Sequence, residues 1–352
     1  MSCRDPQLRR LRRRRPRARR GRLRASGDNR NCGPRPLPTR PLVSQDDRSA
    51  RTRSRSVLAI SIDGLRPAAI HRLGPDRAPT LHRLIRQGAS TLNARTTVEE
   101  TRTLPNHTTM LTGRRVAANR GGHGVDVNTD PGGTVHDRAG EQVASIFQVV
   151  ARRGGRPALF VAKSKFALFQ RSWPCTIARF TYRPDNQALT DAVRRDLTQH
   201  RRSLRFVHYS APDAAGHEHG FGSRRYRDAI AATDRRLGRL VSTIRSTPRL
   251  RGRVTVIITS DHGGTGRDHG DLRLRGHYTI PFIAWGAGVS RGTNLYRLNP
   301  ERRRPGADQI RYAGRQPIRN GDLANLTLDI LGLRAVPGSP INARQSLDLR
   351  RN

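Results

Sequence analysis

Residues 57–62 read V-L-A-I-S-I, and apart from Ser61 they are apolar at even and odd positions alike. A strand with two apolar faces must be covered on both sides, as strands are inside a parallel sheet sandwiched between helices. Residues 157–161, 204–209, 254–259 and 279–285 also read as strands, and 254–259 (V-T-V-I-I-T) is strongly β-branched. Helical spacing alternates with them. A helix opens at Ala78-Pro79-Thr80, carries Leu81, Leu84 and Ile85, and closes at Gly88. Others are expected over 142–152, 186–200 and 322–331. The longest starts at a Ser223 cap, sets Tyr226, Ile230, Leu237, Leu240, Val241 and Ile244 mostly three and four apart, and stops at Pro248. Strand and helix in alternation predict an α/β fold with a mostly parallel central sheet and helices on both faces. Residues 94–102, rich in threonine, suit a strand or extended loop. Residues 118–140, rich in Gly, Asn and Asp, suit a loop, and 295–315 look irregular. No internal repeat is visible.

The chain has 352 residues and a formal net charge of +41, which invites a nucleic-acid reading. Its basic residues argue otherwise. Lys163 and Lys165 are the only lysines, so the arginine excess reads as a coding bias, and no nucleic-acid motif accompanies it. No specific nucleic-acid partner is expected, only salt-sensitive adhesion to polyanions. Residues 1–55 are mostly Arg, Pro, Ser and Gly, a composition expected to be disordered, and residues 56–352 form one globular unit. Cys3, Cys32 and Cys175 lack metal-ligand spacing and suggest no disulfide framework. No run of about 18 apolar residues could span a bilayer. The basic N-terminus resembles a signal n-region without an apolar stretch after it. Location is left open: secreted or cell-envelope if the true start lies elsewhere, otherwise cytoplasmic.

In open α/β sheets ligands bind beyond the carboxyl ends of the strands. Asp63, Asp213 and Asp261 each stand just past an expected strand and should converge at that rim. His217 follows Asp213 by four residues, His262 adjoins Asp261, and His269 lies in a glycine loop. Each of these residues alone reads as a turn former, cap or satisfied core group. Together they are the oxygen and nitrogen donors a catalytic zinc prefers, in a number that suits two metals. Residues 101–114 add a hydroxyl at Thr103 and an amide at Asn106 beside an expected helix start with Pro105 in its first turn and Gly113 at its end. Free N–H groups there favour an anion. Lys163 and Lys165, just beyond a strand, are candidates to reach a substrate.

These motifs carry a family resemblance. The strand ending I-D-G, the T-L-P-N-H run, the P-D-A-A-G-H run and the T-S-D-H-G run together resemble the alkaline phosphatase superfamily. Within it they look most like the nucleotide pyrophosphatase/phosphodiesterase-like proteins, the type I phosphodiesterases, which use a threonine nucleophile. The likeness covers about residues 56–349. It implies the alkaline-phosphatase-like fold and two Zn2+ ions, or other divalent metals. One ion would take Asp63, Thr103, Asp261 and His262; the other would take Asp213, His217 and His269, with His277 the alternative last ligand. Asn106 would hold a phosphoryl oxygen, and Thr103 would attack phosphorus to give a phospho-threonine intermediate. The expected activity is hydrolysis of a small-molecule phosphodiester or nucleotide pyrophosphate. A phosphomonoesterase or phosphonate hydrolase of the same superfamily is the alternative, and a basic polyanion-binding protein without turnover the more distant one. Sulfate is disfavoured, because Thr103-Leu-Pro-Asn106 does not match the C/S-x-P-x-R run of sulfatases. Specificity is expected in residues 117–136, 163–173 and 295–319; oligomeric state is not legible.

Overall fold

The computed structural model describes residues 26–28 and 56–351. Among these residues nine strands form one sheet: β1 (Ser26–Asp28), β2 (Ser56–Ile62), β3 (Ala89–Arg95), β4 (Ala158–Val161), β5 (Arg179–Tyr182), β6 (Leu204–Tyr209), β7 (Val254–Thr259), β8 (Thr279–Gly286) and β9 (Thr293–Asn294). Their order is β1-β5-β4-β6-β2-β7-β8-β3-β9. The centre, β5-β4-β6-β2-β7, is parallel throughout. Beyond it β8 runs antiparallel to β7 and β3, and β1 antiparallel to β5.

The two apolar parities of β2 face two separate cores. Val57 and Ala59 join one with Leu104, Met110, Phe147 and Leu323. Leu58, Ile60 and Ile62 join the other with Leu81, Leu189, Tyr226 and Leu237. β4, β6 and β7 divide the same way, so helices cover both faces as the sequence implies.

Several local readings change. The threonine-rich segment takes the loop alternative: β3 covers Ala89–Arg95, and residues 96–102 form the loop leading to the helix Thr103–Thr112. A helix at Pro67–Arg77, kinked at Gly74, and strand β5 were not foreseen. The helix expected from residue 142 starts at Ile146, because Ser145 caps it with a reciprocal bond to Gln148. β1 lies in the segment expected to be disordered; the rest of that segment is outside the described residues. Cys175 is disulfide-bonded, contrary to the cysteine reading, and its partner lies outside the described residues. Among the described residues no helix is long and apolar enough to cross a membrane.

Candidate active site

Parallel pairing brings the carboxyl ends of β2, β6 and β7 side by side, and each delivers an aspartate to one rim. β2 runs directly into Asp63. Gly64 follows at φ 70°, and a Cβ there would sit 2.9 Å from the Phe221 ring, so the turn needs glycine. β6 leads into a helix, Ala211–His219, that carries Asp213 and His217 one turn apart. The four-residue spacing in the sequence is thus helical, not loop spacing. β7 ends at Thr259, and Ser260 ties the two strand ends together: its Oγ donates to Ile62 O at 2.8 Å and accepts Leu65 N at 2.9 Å.

At this rim His262 Nε2 lies 3.3 Å from Asp63 Oδ1, 3.3 Å from Asp261 Oδ2 and 3.9 Å from Asp213 Oδ1. His217 Nε2 is 3.4 Å from Asp213 Oδ1, and His269 Nε2 is 3.8 Å from the same oxygen. Among the described residues two buried groups have ligand atoms close enough to share a metal: Asp63, Asp261 and His262, and Asp213, His262 and His269. His217, about half exposed, adjoins the second, its Nε2 3.1 Å from that of His269. His277 joins neither; its carbonyl accepts Gly263 N.

Whether these residues fit metal ions can be judged from their unused atoms. Asp63 Oδ1, Asp213 Oδ1, Asp261 Oδ2 and His262 Nε2 are buried and meet no hydrogen-bond partner among the described residues. Such atoms are costly unless something satisfies them. The histidines point the same way. His262 Nδ1 lies 2.8 Å from Gly263 O, His269 Nδ1 2.7 Å from Thr101 O, and His217 Nδ1 2.9 Å from Arg267 O. Carbonyls only accept, so each Nδ1 carries the proton and each Nε2 turns a lone pair inward, as metal-bound histidines do. Asp261 Oδ1 accepts the N–H groups of Gly64 and His262, which leaves Oδ2 facing in. The donor set fits divalent metals of the zinc class.

The electrostatics agree with a shared charged centre. Burial pushes the Asp63 carboxyl up, but the Lys163 ammonium and the bond from His208 outweigh it and hold Asp63 well below the usual range. Asp261 is driven well above that range by burial and by the Asp63 charge. His269 is pushed down to about 2 by burial and by His262, so it stays neutral.

Thr103 opens the helix Thr103–Thr112, which Gly113 closes in the left-handed region at φ 64°. Its Oγ1 is 3.4 Å from Lys163 Nζ. That ammonium also lies 2.6 Å from Asp63 Oδ2 and 2.7 Å from Asp213 Oδ2, spanning both carboxylates. Asn106 is committed elsewhere. Its Nδ2 donates to Glu100 O at 2.8 Å and Arg102 O at 3.1 Å, and its Oδ1 accepts Thr97 N and Asn320 Nδ2. All its amide capacity fixes the loop that presents Thr103, so it has no donor left for a phosphoryl oxygen.

The amide at the mouth is Asn128, which the sequence reading missed. Its Oδ1 accepts Leu104 N at 3.1 Å and Lys165 Nζ at 2.9 Å. It sits in an irregular glycine-rich stretch with no periodic signal to mark it. His208 was also missed; on β6 its Nε2 donates to Asp63 Oδ2 at 2.9 Å. Lys165 is lowered to about 8 by burial and by Lys163. With Asn128, Asp130, Ser164 and Arg171 it lines a cavity of about 600 Å³ built from two of the three segments expected to set specificity.

The model of the family described as type I phosphodiesterase / nucleotide pyrophosphatase matches residues 57–304. The chain belongs to this family. As a type I phosphodiesterase relative it is a hydrolase of phosphoric ester or anhydride bonds. Solved structures of murine ectonucleotide pyrophosphatase / phosphodiesterase 5 share the fold. One matches with a TM-score of 0.60 at 16% identity, covering 83% of this chain and 100% of that one. Another, an inactive threonine-to-alanine variant in complex with AMP, matches with a TM-score of 0.59 at 16% identity over 81% of this chain and 96% of that one. The human protein of the same name gives 0.56 at 17% identity over 80% and 96%.

Proposed function

We propose that this enzyme cleaves a phosphodiester or nucleotide pyrophosphate through a phospho-threonine intermediate on Thr103, with two zinc ions as cofactors. The observation that carries the reading is the set of buried, unpartnered atoms on Asp63, Asp213, Asp261 and His262 beside a threonine hydroxyl at a helix N-terminus. Asp63, Asp261, His262 and Thr103 would hold one ion, and Asp213, His217 and His269 the other. When bound, these cations supply Lewis acidity that eases loss of the hydroxyl proton and offsets charge on the phosphoryl oxygens.

The chain's own groups do the rest. The helix N-terminus turns its positive dipole end toward an incoming phosphoryl group. Thr103 Oγ1 attacks phosphorus in line, the P–O bond to the leaving group breaks, and the alcohol or phosphate departs with the electron pair. Water then attacks the phospho-threonine and restores the hydroxyl. Asn128 and Lys165 stand at the mouth of the site, where an amide N–H and an ammonium can hold equatorial oxygens. Lys163, 3.4 Å from Oγ1, adds positive charge where the pentacoordinate state is most negative. A threonine-to-alanine variant of the murine relative is inactive and was captured with AMP, which supports a threonine nucleophile and a nucleotide-like ligand by analogy.

The test is Thr103→Ala. It should abolish turnover of bis(p-nitrophenyl) phosphate while two metal ions per chain persist by elemental analysis. Undiminished turnover would remove Thr103 from the mechanism; fewer than two ions in the wild type would remove the two-metal scheme. Comparing bis- with mono-p-nitrophenyl phosphate separates the diesterase from a monoesterase.

A further inference from the structure

A second basic cavity, of about 570 Å³, is lined by residues other than those of the catalytic rim. Thr103 is the first residue of the helix Thr103–Thr112, and Arg115, at the cavity wall, comes three residues after its last. Nine residues of helical rise put roughly 13 Å between those ends. Five arginines line the cavity, Arg115, Arg120, Arg302, Arg319 and Arg344, against two carboxylates, Glu301 and Asp322.

Three of these guanidiniums are fixed by the protein. Arg319 is fully buried and spends its donors mainly on neutral acceptors: Thr96 O, Ile310 O and the side-chain oxygens of Gln309 and Gln316. Arg115 pairs with Glu99 at 2.6 Å and lies over the Tyr312 ring. Arg302 reaches Asp322 at 3.1 Å and Asn342 at 2.9 Å. Its side chain is only 9% exposed, yet among the described residues its Nε meets no hydrogen-bond acceptor, and the Glu301 carboxylate stands 3.7 Å from it. The other two, Arg120 and Arg344, are exposed at the mouth, and their side chains make no hydrogen bond or ion pair with the described residues. The wall therefore carries uncompensated positive charge around a buried donor with no partner.

We propose that this cavity is a second, non-catalytic binding site for a small molecule bearing a phosphate monoester dianion. Its volume is that of a metabolite site, not of a single ion. Planar guanidiniums recognise tetrahedral oxyanions through paired N–H donors, and a dianion would match the charge the mouth leaves open. Burial of Arg302 and Arg319 makes the inner wall rigid, while Arg120 and Arg344 are free to fold over the bound group.

Inorganic phosphate is a sufficient probe. Calorimetric titration of the zinc-loaded full chain should resolve two classes of site. In Arg120→Gln/Arg344→Gln one class should weaken at least tenfold, while turnover of bis(p-nitrophenyl) phosphate stays within twofold of wild type. A control, Arg153→Gln/Arg291→Gln, removes two exposed charges elsewhere and should leave both classes intact. A single class in the wild type, survival of both classes in the first variant, or equal weakening in the control would each overturn the proposal; the last would reduce it to diffuse attraction by a basic surface. Turnover is read separately, so failure of the catalytic assignment would not be mistaken for failure of this site.

Discussion

Removing the metal ions should cost this protein measurable stability, and the structure sets the scale. Four buried atoms, Asp63 Oδ1, Asp213 Oδ1, Asp261 Oδ2 and His262 Nε2, have no hydrogen-bond partner among the described residues. An unsatisfied buried polar atom costs about 1–3 kcal/mol. Lys163, at 2.6 and 2.7 Å from Asp63 and Asp213, already limits repulsion among the carboxylates, so the low end applies: about 4 kcal/mol for the set. Saturation by a ligand at roughly a thousand times its Kd gives about the same figure. For a folded unit the size of residues 56–351, an unfolding entropy of about 2.1 cal/mol/K per residue makes this a shift of roughly 6 °C. The assay is calorimetric melting of protein treated with chelator, against the same sample reconstituted with zinc, with metal content measured on both. A Tm that moves by less than about 1 °C between samples shown to differ by two ions would refute the reasoning. Those four atoms would then be satisfied by something other than a metal.

The two amides near Thr103 should separate cleanly. Asn106→Ala strands Thr97 N and Asn320 Nδ2 and should cost about 3 kcal/mol, seen as a lower Tm. Asn128→Ala strands only Leu104 N and should cost about 1 kcal/mol, a smaller fall in Tm, but lower kcat/KM about a hundredfold, and the reverse pattern would return the oxyanion role to Asn106. Lys165 is charged below about pH 8 and loses its proton above it, so kcat/KM for an anionic ester should fall as pH rises through that value. Lys165→Arg should flatten this limb, and an unchanged profile would exclude Lys165 from substrate binding. Finally, Cys175 is disulfide-bonded in a chain of three cysteines. Thiol titration of the unfolded, unreduced chain should find one thiol, rising to three after reduction; three at the outset would remove the disulfide.

Much of this enzyme was legible before any coordinates. The V-L-A-I-S-I run fixed a strand covered on both faces, and β2 indeed feeds two cores. Period and composition alone report what a strand must bury and where it must stop. Because ligands gather beyond the carboxyl ends of a parallel sheet, Asp63, Asp213, Asp261 and their neighbouring histidines could be assigned to one rim from the sequence.

What could not be read was which donor faces inward, because that depends on contacts between segments far apart in the chain. Asn106 stands three residues from Thr103 yet spends its amide on Glu100, Arg102, Thr97 and Asn320. Asn128, 25 residues beyond Thr103 in a loop with no periodicity, caps the same helix and meets Lys165. Sequence likewise left His269 and His277 open; packing puts the His269 ring against His262 at 3.6 Å and leaves His277 outside both metal-capable groups. Residue chemistry and spacing chose the kinds of atoms available. Only the tertiary fold, by satisfying some of those atoms internally and leaving others without partners, decided which remain for chemistry.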